Sequence, residues 1–230
     1  MRIPAIASRT FERFKEDLYF GGIFRRVFQS LSKISNSEDR VKLVHQEIDR
    51  YVKHKFSDLA VKNNVACREG CAMCCHTQVS VTDDEADLLA GKVVQLISQG
   101  EKIDISRLRR QADMQENDEQ WYKQSYDDRK CIFLNDSNRC MVYEERPAVC
   151  RSHHVVGNVE QCSTQNGQVR AQQVLITHES NMVIMAAFML GEKNGALAKR
   201  VWELLSSKLL NSHEEKGLKK TKSLNKSLGN

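Results

Sequence analysis

Three things are scarce in this chain. Of its 230 residues only 2 are proline. Proline is the main helix breaker, so its scarcity favours long helices over proline-punctuated turns. Aromatic residues make up only 7%, and no face rich in both bases and aromatics is apparent, so nucleic acid is not an expected partner. Long apolar runs are also missing. The longest, Met182 to Leu190, has nine residues, against roughly 20 for a spanning helix. No membrane association is expected. The apolar stretch after Arg2 is broken by Pro4 and ends at Ser8, too short for a secretory signal. A cytoplasmic, reducing location is therefore expected.

Charge of one sign is also less abundant than the total suggests. The net charge is +5, but residues 211–230 hold five Lys and two Glu, so the rest carries only +2. A Lys/Ser/Gly/Asn tail without aromatics reads as a solvated, disordered end.

What remains is mostly helical periodicity. Phe11, Phe14, Leu18, Ile23, Val27, Leu31 and Ile34 recur at helical spacing, and Gly21-Gly22 predict a break into two short helices. Val41, Val44, Ile48, Val52, Phe56 and Leu59 form one stripe over 38–62. Ser37 is its expected N-cap, and Asn63-Asn64 end it. His45 and His54 read as partly exposed side chains of that helix. Thr82-Asp83-Asp84-Glu85 is a capping box that opens a helix to about Ile97. Residues 105–127 read as a polar, helical connector anchored weakly by Leu108, Met114, Trp121 and Tyr122. Residues 130–162 look irregular or hairpin-like, organised by something other than a core. Helices are expected again at 168–190 and 195–210. The expected fold is mainly α, with little strand and an irregular, metal-organised cysteine segment. Its parts are an N-terminal helical segment at 1–64, a cysteine-cluster domain at 65–162, C-terminal helices at 163–210 packing on it, and the tail at 211–230.

One residue type is abundant. There are 8 cysteines, all within the 96 residues from Cys67 to Cys162. The first group is Cys67-x3-Cys71-x2-Cys74-Cys75, with turn-forming Arg68-Glu69-Gly70 inside it. The second is Cys131-x8-Cys140-x9-Cys150-x11-Cys162. In a reducing compartment such spacings bind metal more often than they form disulfides. Thiolates are soft ligands that suit zinc and iron–sulfur clusters. Short loops let the chain curl round one centre, and the distant cysteines close it. The expected ligands are Cys67, Cys71, Cys74, Cys75, Cys131, Cys140 and Cys150. Cys162, beside a polar loop, is evenly balanced between ligand and buried thiol. Adjacent Cys74 and Cys75 do not easily share one mononuclear site, which tilts the reading toward a multi-atom iron–sulfur centre or paired sites over a single Zn2+. The eight thiols could serve two four-cysteine sites, or one site with thiols left over.

These residues resemble the YkgJ-like cysteine-cluster family of zinc- or iron-chelating domains with a CxxCxxCC core. The matching stretches are Cys67, Cys71, Cys74 and Cys75, then Val79-Ser80-Val81-Thr82 with Asp83 to Glu85, and then Cys131-Ile132-Phe133-Leu134, Asn138-Arg139-Cys140-Met141-Val142-Tyr143-Glu144 and Arg146-Pro147-Ala148-Val149-Cys150-Arg151. They cover about residues 65–155. The chain departs from the family in having three residues between Cys67 and Cys71, and His153-His154 where relatives tend to have an aromatic and a proline.

Arg146 and Arg151 flank Cys150. Each either offsets thiolate charge or pairs with a carboxylate such as Glu144 or Glu145. Pro147 is expected to fix the turn that delivers Cys150, and Tyr143 to pack. His76, His153 and His154 could bind metal but are better read as neighbours of the site.

The leading functional reading is a metal-binding protein. A second is an S-adenosylmethionine-dependent iron–sulfur enzyme of protein-modifying, methylase-like type. Cys67-x3-Cys71-x2-Cys74 has the spacing radical enzymes use, and the resemblance includes relatives linked to lysine methylation. Such enzymes place that motif in a strand–helix barrel, however, which this sequence does not predict. A third is a zinc-stabilised interaction module.

Overall fold

The apolar spacing sets the architecture, and a computed structural model describes it for residues 3–68, 70–114, 118–167 and 173–208. The basic tail at 211–230 lies outside the described residues. Helices α1 (Ala5–Phe14), α2 (Phe20–Ser32) and α3 (Ser37–Phe56) open the chain. The first break falls earlier than Gly21-Gly22, at residues 15–19. There the Asp17 carboxylate accepts the Tyr19 and Phe20 amides, each at 2.8 Å, and starts α2. Gly21 sits inside α2 because a Cβ there would overlap the Lys15 carbonyl. The cap of α3 is Asn36, not Ser37: its side chain accepts the Asp39 amide at 3.0 Å. The stripe breaks at Ser57-Asp58, and α4 (Leu59–Asn64) is capped by Asp58 and leaves Leu59 exposed.

The capping box forms as expected on α5 (Asp83–Ser98). The connector at 105–127 is helical as expected, as α6 (Ile105–Ala112) and α7 (Asp118–Tyr122), with Leu108 and Trp121 buried. A five-residue α8 (Ala148–Ser152) carries Cys150. The segment expected as helix from 168 is a short strand at Gln173–Val174 followed by α9 (His178–Leu190). A further helix, α10, spans 197–208.

Strand content is low: β1 (Ser80–Val81) pairs antiparallel with β4 (Gly195–Ala196), and β2 (Val155–Val156) with β3 (Gln173–Val174). Two cores result. In one, α9 is buried against α1, α2 and α3 through residues such as Val27, Ile48, Met182 and Phe188. In the other, α5, α6, α10 and the 132–142 segment bury Leu89, Leu108, Phe133 and Val201. No helix among the described residues is long and apolar enough to cross a membrane.

Candidate metal centre

The cysteine segments lie between the two cores and are built by backbone pairing rather than by long helices. Gly70, at φ +79, lets the chain reverse between Cys67 and Cys71, a conformation that suits glycine. The Cys71 amide donates to the Arg68 carbonyl at 3.0 Å. A single 3₁₀ turn, Met73–His76, then presents both vicinal cysteines. The Cys74 carbonyl accepts the Thr77 hydroxyl at 2.7 Å.

The second group folds onto the first. The Cys131 amide donates to the Cys75 carbonyl at 2.8 Å. Leu134 and Cys140 form a bridge across a tight loop, with Asn138 at φ 56 and the Asn135 side chain accepting the Ser137 and Arg139 amides. This is the hairpin-like structure expected of 130–162. Pro147 is the N-cap of α8, and its carbonyl accepts the Arg151 amide at 2.9 Å.

The third contribution comes from β2 and the turn after it. Val65 bridges Val156, and the Ala66 amide donates to the Val155 carbonyl at 2.8 Å. The Cys67 sulfur accepts the Val155 amide at 3.3 Å. The turn Val159–Cys162 packs against the turn that holds Cys74 and Cys75.

All eight cysteines are free thiols, and only Cys162 is fully buried. Cys74 is central. A thiolate there would disfavour ionisation of Cys67, Cys131, Cys140, Cys150 and Cys162, which come from four separate stretches of chain. Cys67 also feels Cys71, and Cys162 feels both of these. Cys131 feels Cys140, and Cys150 feels both of those. The thiols are gathered without being closed into a coordination shell: no group of three or more His, Cys, Asp or Glu among the described residues has metal-holding geometry.

Electrostatics explains the open arrangement. Burial pushes the thiols of Cys67, Cys140 and Cys150 up, that of Cys131 up to about 12 and that of Cys162 up to about 11. Hydrogen bonding with Cys75, together with burial, pushes Cys74 up further. In this fold these thiols are neutral at pH 7, and several thiolates would not tolerate one another without a cation. Metal binding to such residues expels protons.

The two arginines beside Cys150 differ. Arg151 is 6% exposed and structural: it bonds Asp49 at 2.7 Å and the Glu144 carbonyl. Arg146 has no carboxylate within ion-pair distance among the described residues. It lies 4.1 Å over the exposed Tyr143 ring, its Nε is buried without a partner, and its charge favours the thiolates of Cys67, Cys74 and Cys140. It therefore lies where it would favour thiolates at these positions.

Sequence reasoning missed two residues around the centre. Glu85 is 3% exposed, and besides closing the capping box it accepts the Ala148 amide at 2.6 Å, the first residue of α8. His45 is buried, not partly exposed, with Nε2 3.6 Å from Glu85, because α3 packs against α5. His54 is exposed as expected. A second residue, Arg129, is 1% exposed, with its guanidinium held by the Thr164 hydroxyl and carbonyl at 2.8 and 2.6 Å and lying over Tyr122 and Tyr126. Neither residue had a sequence signal for these longer-range roles.

The histidines are placed but point elsewhere in their bonding. His76 stacks on Tyr126 at 3.6 Å, and its Nδ1 is 2.9 Å from the Tyr126 carbonyl. His153 lines a half-open cavity of about 440 Å³ beside α8, with Val149, Ser152 and Thr177. Among the described residues its lining holds no Asp, Glu, Lys or Arg.

His154 packs edge-on against Phe56 at 4.9 Å, and its Nδ1 is buried without a partner. Burial, reinforced by Arg146, lowers its pKa to about 4. The folded chain thus favours neutral His154. This stabilisation is complete above the unfolded pKa of about 6.5 and is lost as pH falls toward 4. At 1.36 kcal/mol per unit a shift from about 6.5 to about 4 amounts to roughly 3 kcal/mol. His154→Gln is expected to lose less stability than the parent between pH 7 and pH 4.5 in urea unfolding. The difference between the two isolates His154, since the thiols titrate alike in both. Parallel losses would contradict it.

Residues 66–173 match the model of the family described as "CxxCxxCC: Putative zinc- or iron-chelating domain". The match reaches past the stretch that carried the resemblance and takes in Cys162. No curated protein and no solved structure matches the chain significantly.

Proposed function

We propose that the chain holds an iron–sulfur centre or zinc through Cys67, Cys71, Cys74, Cys75, Cys131, Cys140 and Cys150, and that this centre organises the middle of the fold. The observation that carries the proposal is the folding of the other cysteine-bearing segments onto the Cys74-Cys75 turn, with the Cys131 amide bonded to the Cys75 carbonyl at 2.8 Å and the turn ending at Cys162 packed against it. The donor set is soft and all-sulfur, which suits zinc and iron. Arg146 supplies a cation where an anionic four-thiolate shell needs one.

The vicinal pair favours iron–sulfur or paired sites over one zinc ion. Cys74 and Cys75 lie in one 3₁₀ turn, and neighbouring thiolates reach different metal atoms more easily than the same one. The segments that carry the donors are short turns and one hairpin, able to adjust on loading. The two small sheets and the helices offer no strand–helix barrel among the described residues. No observation therefore favours the radical S-adenosylmethionine reading over the metal-binding one.

The test is purification under nitrogen followed by elemental analysis, sulfide determination and an absorption spectrum. Iron with matching acid-labile sulfide is expected. Zinc without sulfide would retain metal binding and reverse the choice of metal. A colourless, metal-free and folded protein would overturn the proposal.

A further inference from the structure

Cys162 and the division of the thiols have no place in that scheme. We infer that the eight cysteines form two separate four-thiolate sites, one closed by Cys162 with Cys67 and Cys71, the other by Cys131, Cys140 and Cys150, with one of the vicinal pair Cys74 and Cys75 supplied to each. This inference rests on the metal-binding reading above and deepens it.

The backbone builds two bodies about one turn. In the first, Val65 pairs with Val156, and the Val155 amide reaches the Cys67 sulfur at 3.3 Å. The same strand leads through Asn158, whose side chain accepts the Glu160 amide at 2.8 Å, into the turn ending at Cys162. That turn packs directly on Met73–His76. Cys67, Cys71 and Cys162 are thus delivered to one side of the vicinal pair by β2 and its neighbours.

In the second body, the Cys131 amide is tied to the Cys75 carbonyl at 2.8 Å, and Cys140 is bridged to Leu134 across the hairpin. Cys131 and Cys140 pack against the second core, with Ile132, Phe133 and Val142. Cys150 arrives on α8, positioned by Glu85. Glu85 belongs to α5, a helix of the core against which Cys131 and Cys140 pack.

Three thiols on each side lack one ligand of a tetrahedral shell, and the vicinal pair holds two. A thiol as buried as Cys162, at 4% exposure, placed among others is better explained as a ligand than as a small core residue.

The test uses the full chain, reduced, metal-free and titrated with cobalt(II) without oxygen. About two equivalents, both in all-sulfur tetrahedral sites, are expected. Cys162→Ser should keep one such site. Its loaded form should leave Cys67 and Cys71 open to alkylation while Cys131 and Cys140 stay protected. Cys150→Ser should show the reverse. Cys71→Ser, at a partly exposed position, should behave like Cys162→Ser and serves where the latter loses its helical circular dichroism. One equivalent in the parent, or the same cysteines deprotected in both classes of variant, would overturn the division while leaving metal binding intact. No cobalt uptake at all would overturn both.

Discussion

Cys74→Ala is expected to lower the bound metal by about half and to loosen the cysteine-bearing segments of the site it serves. The turn that holds it is bonded to Cys131 through the Cys75 carbonyl and packs against the turn that ends at Cys162. The hairpin and turns it joins contain few helical hydrogen bonds of their own. In small structural zinc sites the apparent binding free energy is on the order of 10 kcal/mol, and it is folding free energy because the unfolded chain holds no site. The loss should therefore exceed that of any ordinary core truncation, about 2–5 kcal/mol. Cys140→Ala should act in the same direction. Metal per chain and hydrogen exchange at Ile132, Phe133 and Val142 give the readout. Unchanged metal stoichiometry in both variants would defeat the ligand assignment.

Glu85→Ala should be the most damaging change outside the cysteines, at about 3–5 kcal/mol. The side chain is 3% exposed and serves two helices at once. Its Oε2 accepts the Thr82 amide at 3.0 Å at the start of α5, and its Oε1 accepts the Ala148 amide at 2.6 Å at the start of α8. Loss of a cap costs about 1 kcal/mol, and hydrogen bonds to a charged group are worth about 1.5–3 kcal/mol each. Two buried amides are left without acceptors in the variant, which adds to the loss. Glu85→Gln keeps the shape and one acceptor oxygen, so it should lose about half as much. Since α8 carries Cys150, Glu85→Ala should also weaken metal retention, which Glu85→Gln should largely spare. Urea unfolding and metal analysis of both variants test this. A Glu85→Ala chain within about 1 kcal/mol of the parent would refute the double role.

Much of the local structure was readable because its causes are local. The α3 stripe of Val41, Val44, Ile48 and Val52 is buried as a 3.6-residue period requires. The capping box at Thr82 and Glu85 needs only residues three apart. The irregular 130–162 stretch announced itself by short apolar pieces among Asn, Asp and Ser. Boundaries were less legible. Gly21 looked like a break, yet it is an interhelical contact point, and only the path of residues 15–19 shows that. His45 looked like a surface residue because nothing in α3 reveals that α5 covers it.

By itself the sequence determined a mainly helical chain, a dense run of soft ligands and the resemblance that residues 66–173 bear out. These follow from composition, spacing and periodicity, which act over a few residues. Only the tertiary structure decided which cysteine-bearing segments pack together. It separated Arg146, which stacks over Tyr143 with no carboxylate in ion-pair reach among the described residues, from Arg151, bound to Asp49 from 102 positions away. It joined Glu85 to α8 across 63 positions and brought Cys162 onto the turn of Cys74. Such contacts depend on how β2, α5 and α8 dock. That docking is set by burial of apolar surface over the whole molecule, which no local pattern of residues encodes.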